Sequence, residues 1–465
     1  MSDNPDVVES AGLATIPQEL IDAIVDLLRD DKGALRACSL VHRKLLSATS
    51  SHLFGRLSWP PCGLHWKHRG VANYCRCSHI LDNTETLACL RSLLMSSARI
   101  RHNVRELRIA MTPKGTPACI ELSTSPQEVV DIIDLLPRMH SLTLRNAKFI
   151  PEASLALCPN TNRILRNLRL EWFNPNVQFH QIVSFLSYFR RISTLSIENA
   201  QLISSVTHAP FTPPVLPIMV VDNLELCFPL TTGSRQYWPD RVCTYFDGSQ
   251  IKSLTVQDDE RMHLNNAPAA GLHRLLQRCT TLRTLTCRRG VFSALLSYPA
   301  RCPTLRELRF EDVGTRTSTI PVPWMRLADV MDSRLGSTVQ SLVFRWRILP
   351  RIEEHQSIPS PEAFWAAFEM VLDGSDWTPL ANVIERIGTL RSLTIHAELE
   401  VVKRTGMVDK DGKVIAWPVR LSWAGDEERY FAKLENVAKS RLPPAAHDQL
   451  HLRVSFISLD PYVAD

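Results

Sequence analysis

Apolar residues recur with helical spacing at the front of the chain and with strand spacing behind it. After Pro17, Leu20, Ile21, Ile24, Val25, Leu27 and Leu28 make a broad apolar stripe along one side of a helix. Pro17 suits the first turn of that helix, where a missing N–H does no harm. A second helix is predicted over 34–46, with Leu35, Cys38, Leu40, Val41 and Leu45 apolar. A third element over 51–57 carries Leu53, Phe54 and Leu57, and a short helix over 86–95 carries Leu87, Leu90, Leu93 and Leu94. So small a helical unit buries little surface alone, and it would gain from packing on a partner.

From Val104 onward one motif returns: an apolar residue, another three places on, and another two places after that. It is seen at Val104/Leu107/Ile109, Met139/Leu142/Leu144, Leu165/Leu168/Leu170, Ile192/Leu195/Ile197 and Val221/Leu224/Leu226. It continues at Ile251/Leu254/Val256, Leu282/Leu285/Cys287, Leu305/Leu308/Phe310, Val339/Leu342/Phe344 and Leu390/Leu393/Ile395. The last two members alternate as a strand does. Successive starts lie 23 to 51 residues apart, mostly in or near the range of leucine-rich repeats. Helical stripes fill gaps, as at Val129/Ile132/Ile133/Leu136 and Phe364/Ala367/Phe368/Val371. The expected fold class is therefore α/β: a curved leucine-rich-repeat solenoid with a parallel sheet, favoured over an ordinary doubly wound domain. The expected layout is a disordered tail over 1–14, a helical domain over 15–58, a connection over 59–98, repeats over 99–399 and a C-terminal cap over 400–465.

Charge adds little to this picture. The chain carries 53 Lys and Arg against 48 Asp and Glu, a formal +5, and does not call for a nucleic-acid partner. No window reads as a membrane span, and scattered cysteines favour a reducing compartment, cytoplasmic or nuclear. On the strands, the residues between the leucines include Arg145, Arg169 and Arg309 with several glutamates, a mixed face suited to specific protein contacts. Trp172 and Trp346 follow two of the strands and join these arginines as candidate substrate contacts.

Chemistry-bearing motifs are sparse. Cys62, His65, His68, Cys75, Cys77 and His79 invite a zinc reading, but Cys75 and Cys77 stand closer together than zinc-binding cysteines usually do, so loop and packing roles are expected. There is no glycine-rich phosphate loop, no His-Glu-x-x-His and no Gly-x-Ser-x-Gly, so no catalytic residue, cofactor or metal is expected.

The residues Ile16-Pro17, Glu19-Leu20, Ile24, Leu27-Leu28, Ala34-Leu35-Arg36, Cys38-Ser39-Leu40-Val41, Arg43 and His52-Leu53-Phe54 resemble an F-box of the fungal, mushroom-type F-box protein family. Leu45 stands where the family commonly has Trp. The resemblance implies a short all-helical F-box ahead of the repeats. It also implies a non-catalytic substrate-recognition subunit of a Skp–cullin–F-box ubiquitin ligase. Pro17, Leu20, Ile24, Leu28, Leu35, Cys38, Val41 and Leu45 would then dock a Skp-family adaptor and, through it, a cullin. The repeat surface would hold a protein substrate, with neither nucleic acid nor membrane involved. The residues alone leave open a repeat scaffold whose N-terminal helices only cap the array.

Overall fold

The computed structural model describes residues 16–59, 83–110, 123–145, 148–149, 163–171, 182, 185–198, 219–227, 246–257, 275–288, 302–311, 315–316, 338–349, 361–402 and 427–459. The expected tail, the Cys/His group of 62–79 and Trp172 lie outside them.

Three helices open the fold: α1 (Gln18–Leu27), α2 (Lys32–Val41) and α3 (Arg43–Phe54). Pro17 sits at the N-cap of α1, one place before the expected first turn. The helix predicted over 34–46 is two helices, because His42 is extended (φ −154°, ψ 148°) and ends α2. Its ring Nδ1 then accepts the amide of Lys44 at 3.2 Å and caps α3. The side chain of Asp31 caps α2 by accepting from the Ala34 amide at 2.9 Å. Strand β1 (Arg56–Trp59) follows, then α4 (Asn83–Ser96), α5 (Ala98–Asn103), β2 (Glu106–Ala110) and the two-residue β3 (Ser123–Thr124).

Helix α6 (Pro126–Asp134) has both halves of a capping box, with Ser125 and Glu128 each holding the other's amide, and buries Val129, Val130, Ile132 and Ile133. The strands after it are β4 (Ser141–Arg145), β5 (Lys148–Phe149), β6 (Ile164–Glu171), β7 (Arg191–Glu198), β8 (Val220–Cys227), β9 (Ser253–Gln257), β10 (Thr284–Arg288), β11 (Glu307–Glu311), β12 (Thr315–Arg316) and β13 (Ser341–Leu349). Two helices, α7 (Pro361–Gly374) and α8 (Thr378–Arg386), precede β14 (Ser392–Val402). Helix α9 (Glu427–Arg441) precedes β15 (Leu450–Leu459).

Thirteen of these strands form one sheet, ordered β1-β2-β4-β6-β7-β8-β9-β10-β11-β13-β14-β15 with β12 beside β13; β3 and β5 pair separately. Neighbours along the sheet run parallel and in register. Leu107, Leu142, Leu168, Leu195, Leu224, Leu254, Leu285, Leu308, Leu342 and Leu393 therefore lie in one row across the sheet. All ten are buried in a single core. The register is pinned because a one-residue slip would turn this whole row toward water. A second device recurs at strand entries. Two successive amides donate to one carbonyl just before the preceding strand: Arg283 and Thr284 to Lys252, Arg306 and Glu307 to Arg283, Gln340 and Ser341 to Arg306, Arg391 and Ser392 to Gln340.

The expected fold class is corrected in one respect that changes its meaning. The sheet is not strongly curled, so the molecule is an open α/β sheet rather than a curved leucine-rich-repeat solenoid. Steady curvature needs the same small rotation at every repeat. Here the repeats differ in length from 23 to 51 residues. Their described connections range from the 14-residue α7 to a three-residue 3-10 turn at Gly248–Gln250, so no constant wedge accumulates. Within the expected cap, residues 427–459 supply a helix, α9, and a last strand, β15, that pairs with β14.

Candidate functional site

The apolar arc of α1 is wider than its own core can cover. Ile21 and Val25 are buried with Leu35 of α2, and Ile16, Leu28, Leu45, Ala48 and Leu53 pack around them. One residue around the helix, Leu20, Ile24 and Leu27 form a parallel stripe at i, i+4 and i+7 that stays outside, with Leu27 86% exposed. The end of α2 does the same, with Leu40 87% and Val41 68% exposed. Five large aliphatic side chains on two successive short helices thus meet water. Single exposed aliphatics are ordinary; several on successive short helices make this unit a candidate contact surface.

The helices behind this face are tied together. His52 Nε2 lies 2.9 Å from Asp26 Oδ1, joining α3 to α1, and Lys44 Nζ donates to the Ile16 carbonyl at 3.0 Å. Buried Thr49 donates its hydroxyl to the Leu45 carbonyl at 2.7 Å.

Of the eight residues that the F-box resemblance implies for adaptor docking, Pro17, Leu20, Ile24 and Val41 are exposed. Leu28, Cys38 and Leu45 are half-buried, and Leu35 is fully enclosed in the core of the unit. Leu35 therefore supports the face from behind. Leu27 and Leu40, the most exposed of the group, were not among the eight. Leu27 was legible as the third member of the i, i+4, i+7 series begun by Leu20 and Ile24.

The other face of the sheet is polar and charge-balanced. Arg169 Nε lies 2.8 Å from Glu171 and its other nitrogen 2.9 Å from Glu198. Burial works against the charge of Arg169, but the hydrogen bond and charge of Glu198, with Glu171 and Glu225 behind them, outweigh it and raise its pKa above the ordinary arginine value. Arg145 approaches the buried Glu171 at 3.7 Å. Farther along, Arg288 meets Glu311 at 2.9 Å and Arg309 meets Glu307 at 3.0 Å. Arg345 holds Glu398, which is only 1% exposed. Trp346 lies in β13, in register with Ala397. Arg145, Arg169 and Arg309 thus belong to the strand face, each beside a glutamate, and no uniform positive stripe forms among the described residues.

His396 ends this series. One ring nitrogen lies 2.8 Å from Ser455 Oγ and the other 3.8 Å from Glu398. Its pKa is lowered, first by burial and further by Arg345 and Arg453, against the pull of Glu398. The unfolded chain therefore takes up a proton on this residue at a higher pH than the folded one does. Stability from this site is full above the ordinary histidine value near 6.5 and declines as pH falls through it toward the folded pKa. The thermal midpoint is expected to drop between about pH 7 and pH 5, and His396→Gln to flatten that slope; an unchanged slope in the variant would assign it elsewhere.

Buried thiols sit deep in the same core. Burial pushes Cys287 up to about 12 and Cys302 up to about 11, which keeps both as unreactive thiols. Among the described residues, no group of three or more His, Cys, Asp or Glu could hold a metal ion, and no helix is long and apolar enough to cross a membrane.

No family model matches the chain. No curated protein matches it either. Among solved structures it is similar to the yeast Rad7 and Elc1 complex, with 12% identity, a TM-score of 0.28, 85% of this chain covered and 91% of that chain. At that distance the similarity bears on neither fold nor function.

Proposed function

We propose that this chain is a non-catalytic, substrate-recruiting subunit of a Skp–cullin–F-box ubiquitin ligase. The single observation that carries the reading is the exposure of the aliphatic side chains Leu20, Ile24 and Leu27 on α1 and Leu40 and Val41 on α2. They lie within the segment that resembles an F-box. A Skp-family adaptor would bury them and bring a cullin with it. The polar strand face would hold a protein substrate through matched charge, with Arg145, Arg169, Arg309 and Trp346 as its candidate contacts. Catalysis would come from holding the substrate close to a ubiquitin-loaded enzyme carried by the same assembly. The complex would work in the cytoplasm or nucleus.

The test is affinity capture from cells under proteasome inhibition, comparing the intact chain with a Leu27→Asp/Leu40→Asp variant. Recovery of adaptor and cullin with the intact chain alone is the expected result. Equal recovery with both, or with neither, would overturn the reading. Point substitutions are better here than deletion of the helical unit, because β1 belongs to the sheet and its removal would expose the edge of β2. A second reading, a binding scaffold without a ligase role, draws on that same strand pairing, which makes the helical unit an end cap. It predicts a stable chain that binds clients and never recovers a cullin.

A further inference from the structure

The helical unit and the sheet meet at a joint built from residues 46–59 and 99–106. The first strand-entry carbonyl of the whole ladder is that of Gly55, which accepts the amides of both Arg105 and Glu106 at 2.9 Å. This is the arrangement that Lys252, Arg283, Arg306 and Gln340 repeat farther along the sheet. The helical unit thus supplies the first rung of the ladder. Gly55 is buried, and a Cβ there would lie 2.3 Å from the Ser51 carbonyl oxygen, so only glycine fits without a backbone shift. Beyond it, β1 pairs with β2 over four residues, Arg56 Nε meets Glu106 at 3.0 Å, and Leu57 and Trp59 pack on the main core.

Arg99 closes the joint from the other side. Its Nε donates to Ser50 Oγ at 2.7 Å and its terminal nitrogen to the Leu46 carbonyl at 2.9 Å. The guanidinium also lies over the Phe54 ring, 5.7 Å from its centre. One side chain on α5 therefore grips three residues spread along α3, with Nε and one terminal nitrogen of its fork engaged. Ser50, its acceptor, is only 2% exposed.

We propose that this joint holds the exposed aliphatic face at one fixed angle to the polar strand face, with Arg99 as its positioning residue. The two surfaces then form one rigid body, so that whatever docks on the helices is presented to the strand face in a single orientation. The inference rests on the joint itself and does not depend on what occupies either surface.

The test uses the free full-length protein carrying spin-labelled noncanonical residues at two exposed positions, Asp22 on α1 and Gln127 on α6. Pulsed electron–electron resonance between them should give one narrow distance distribution. Arg99→Ala should broaden it at least twofold while the thermal midpoint of the sheet stays in place, and Arg99→Lys, which keeps the charge and loses the fork, should broaden it as well. If Arg99→Ala fails to fold, the same reading is taken from Ser50→Ala, where broadening is again expected. A broad distribution in the intact chain, or a distribution unchanged by the substitutions, would overturn the proposal. No adaptor is present in this measurement, so its failure and failure of the ligase reading are told apart.

Discussion

Replacing Leu27 and Leu40 together by aspartate is expected to weaken adaptor docking by about a hundredfold or more and to leave the thermal midpoint nearly unmoved. Both side chains are almost fully in water in the free chain, so the folded state loses little when they go. On docking, each would contribute about 1.5–3 kcal/mol by leaving water. Two of them reach the 2.8 kcal/mol or so that a hundredfold change requires, before the cost of burying two carboxylates is added. Leu35→Ala separates surface from core. It empties a fully buried position in a cluster of only three buried residues, and a loss of about 2–5 kcal/mol would melt so small a unit. Both changes are expected to weaken docking, but only Leu35→Ala should remove the helical signal of α1 to α3. Isothermal titration beside circular dichroism distinguishes them.

The second large effect lies in the sheet. Phe344 is fully buried and stacks on Phe310 of the neighbouring strand, with ring centres 5.3 Å apart and planes 16° from parallel. Phe344→Ala is expected to cost about 3–5 kcal/mol through lost transfer energy and the cavity left behind. The row stays in register, because the leucines on either side of it still pin the strand. Urea unfolding should show a lower midpoint for the variant. A change under about 1 kcal/mol would mean that the aromatic pair is loosely packed and that the core there is not what the burial indicates.

How much was legible in the sequence depends on how local its cause is. The strand motif is local: its last two apolar members are two places apart, and each one from Leu107 to Ile395 is found on a strand of the sheet. The break at His42 was not legible, because the apolar spacing runs across it. Only the imidazole acting as a cap for α3 reveals it. Thr281, Thr304, Thr338 and Thr389 each precede the first apolar member of a repeat, and each donates its hydroxyl to the carbonyl of the first apolar member of the repeat before, at 2.8 to 3.1 Å. In the sequence this signal is only a recurring threonine, which carries no weight in a hydrophobic period. Curvature was the least legible property. It is a sum of small rotations over the whole array, and equal motifs separated by unequal connections do not add to a uniform arc.

For the candidate site, the pattern found the right helices but could not divide inner from outer apolar positions. Neighbouring stripes on α1 differ by a single residue, and which of them faces the core depends on where α2 and α3 pack. Leu35 and Leu27 look alike in the sequence and do opposite things in the structure.

Adaptor docking through α1 and α2 is tested most directly by a calorimetric titration of the purified full-length chain with a purified Skp-family adaptor, repeated with the Leu27→Asp/Leu40→Asp variant. Saturable binding with a negative heat-capacity change, the mark of buried apolar surface, is expected for the intact chain and its loss for the variant. Absence of binding by the intact chain, or equal binding by the variant, would contradict it.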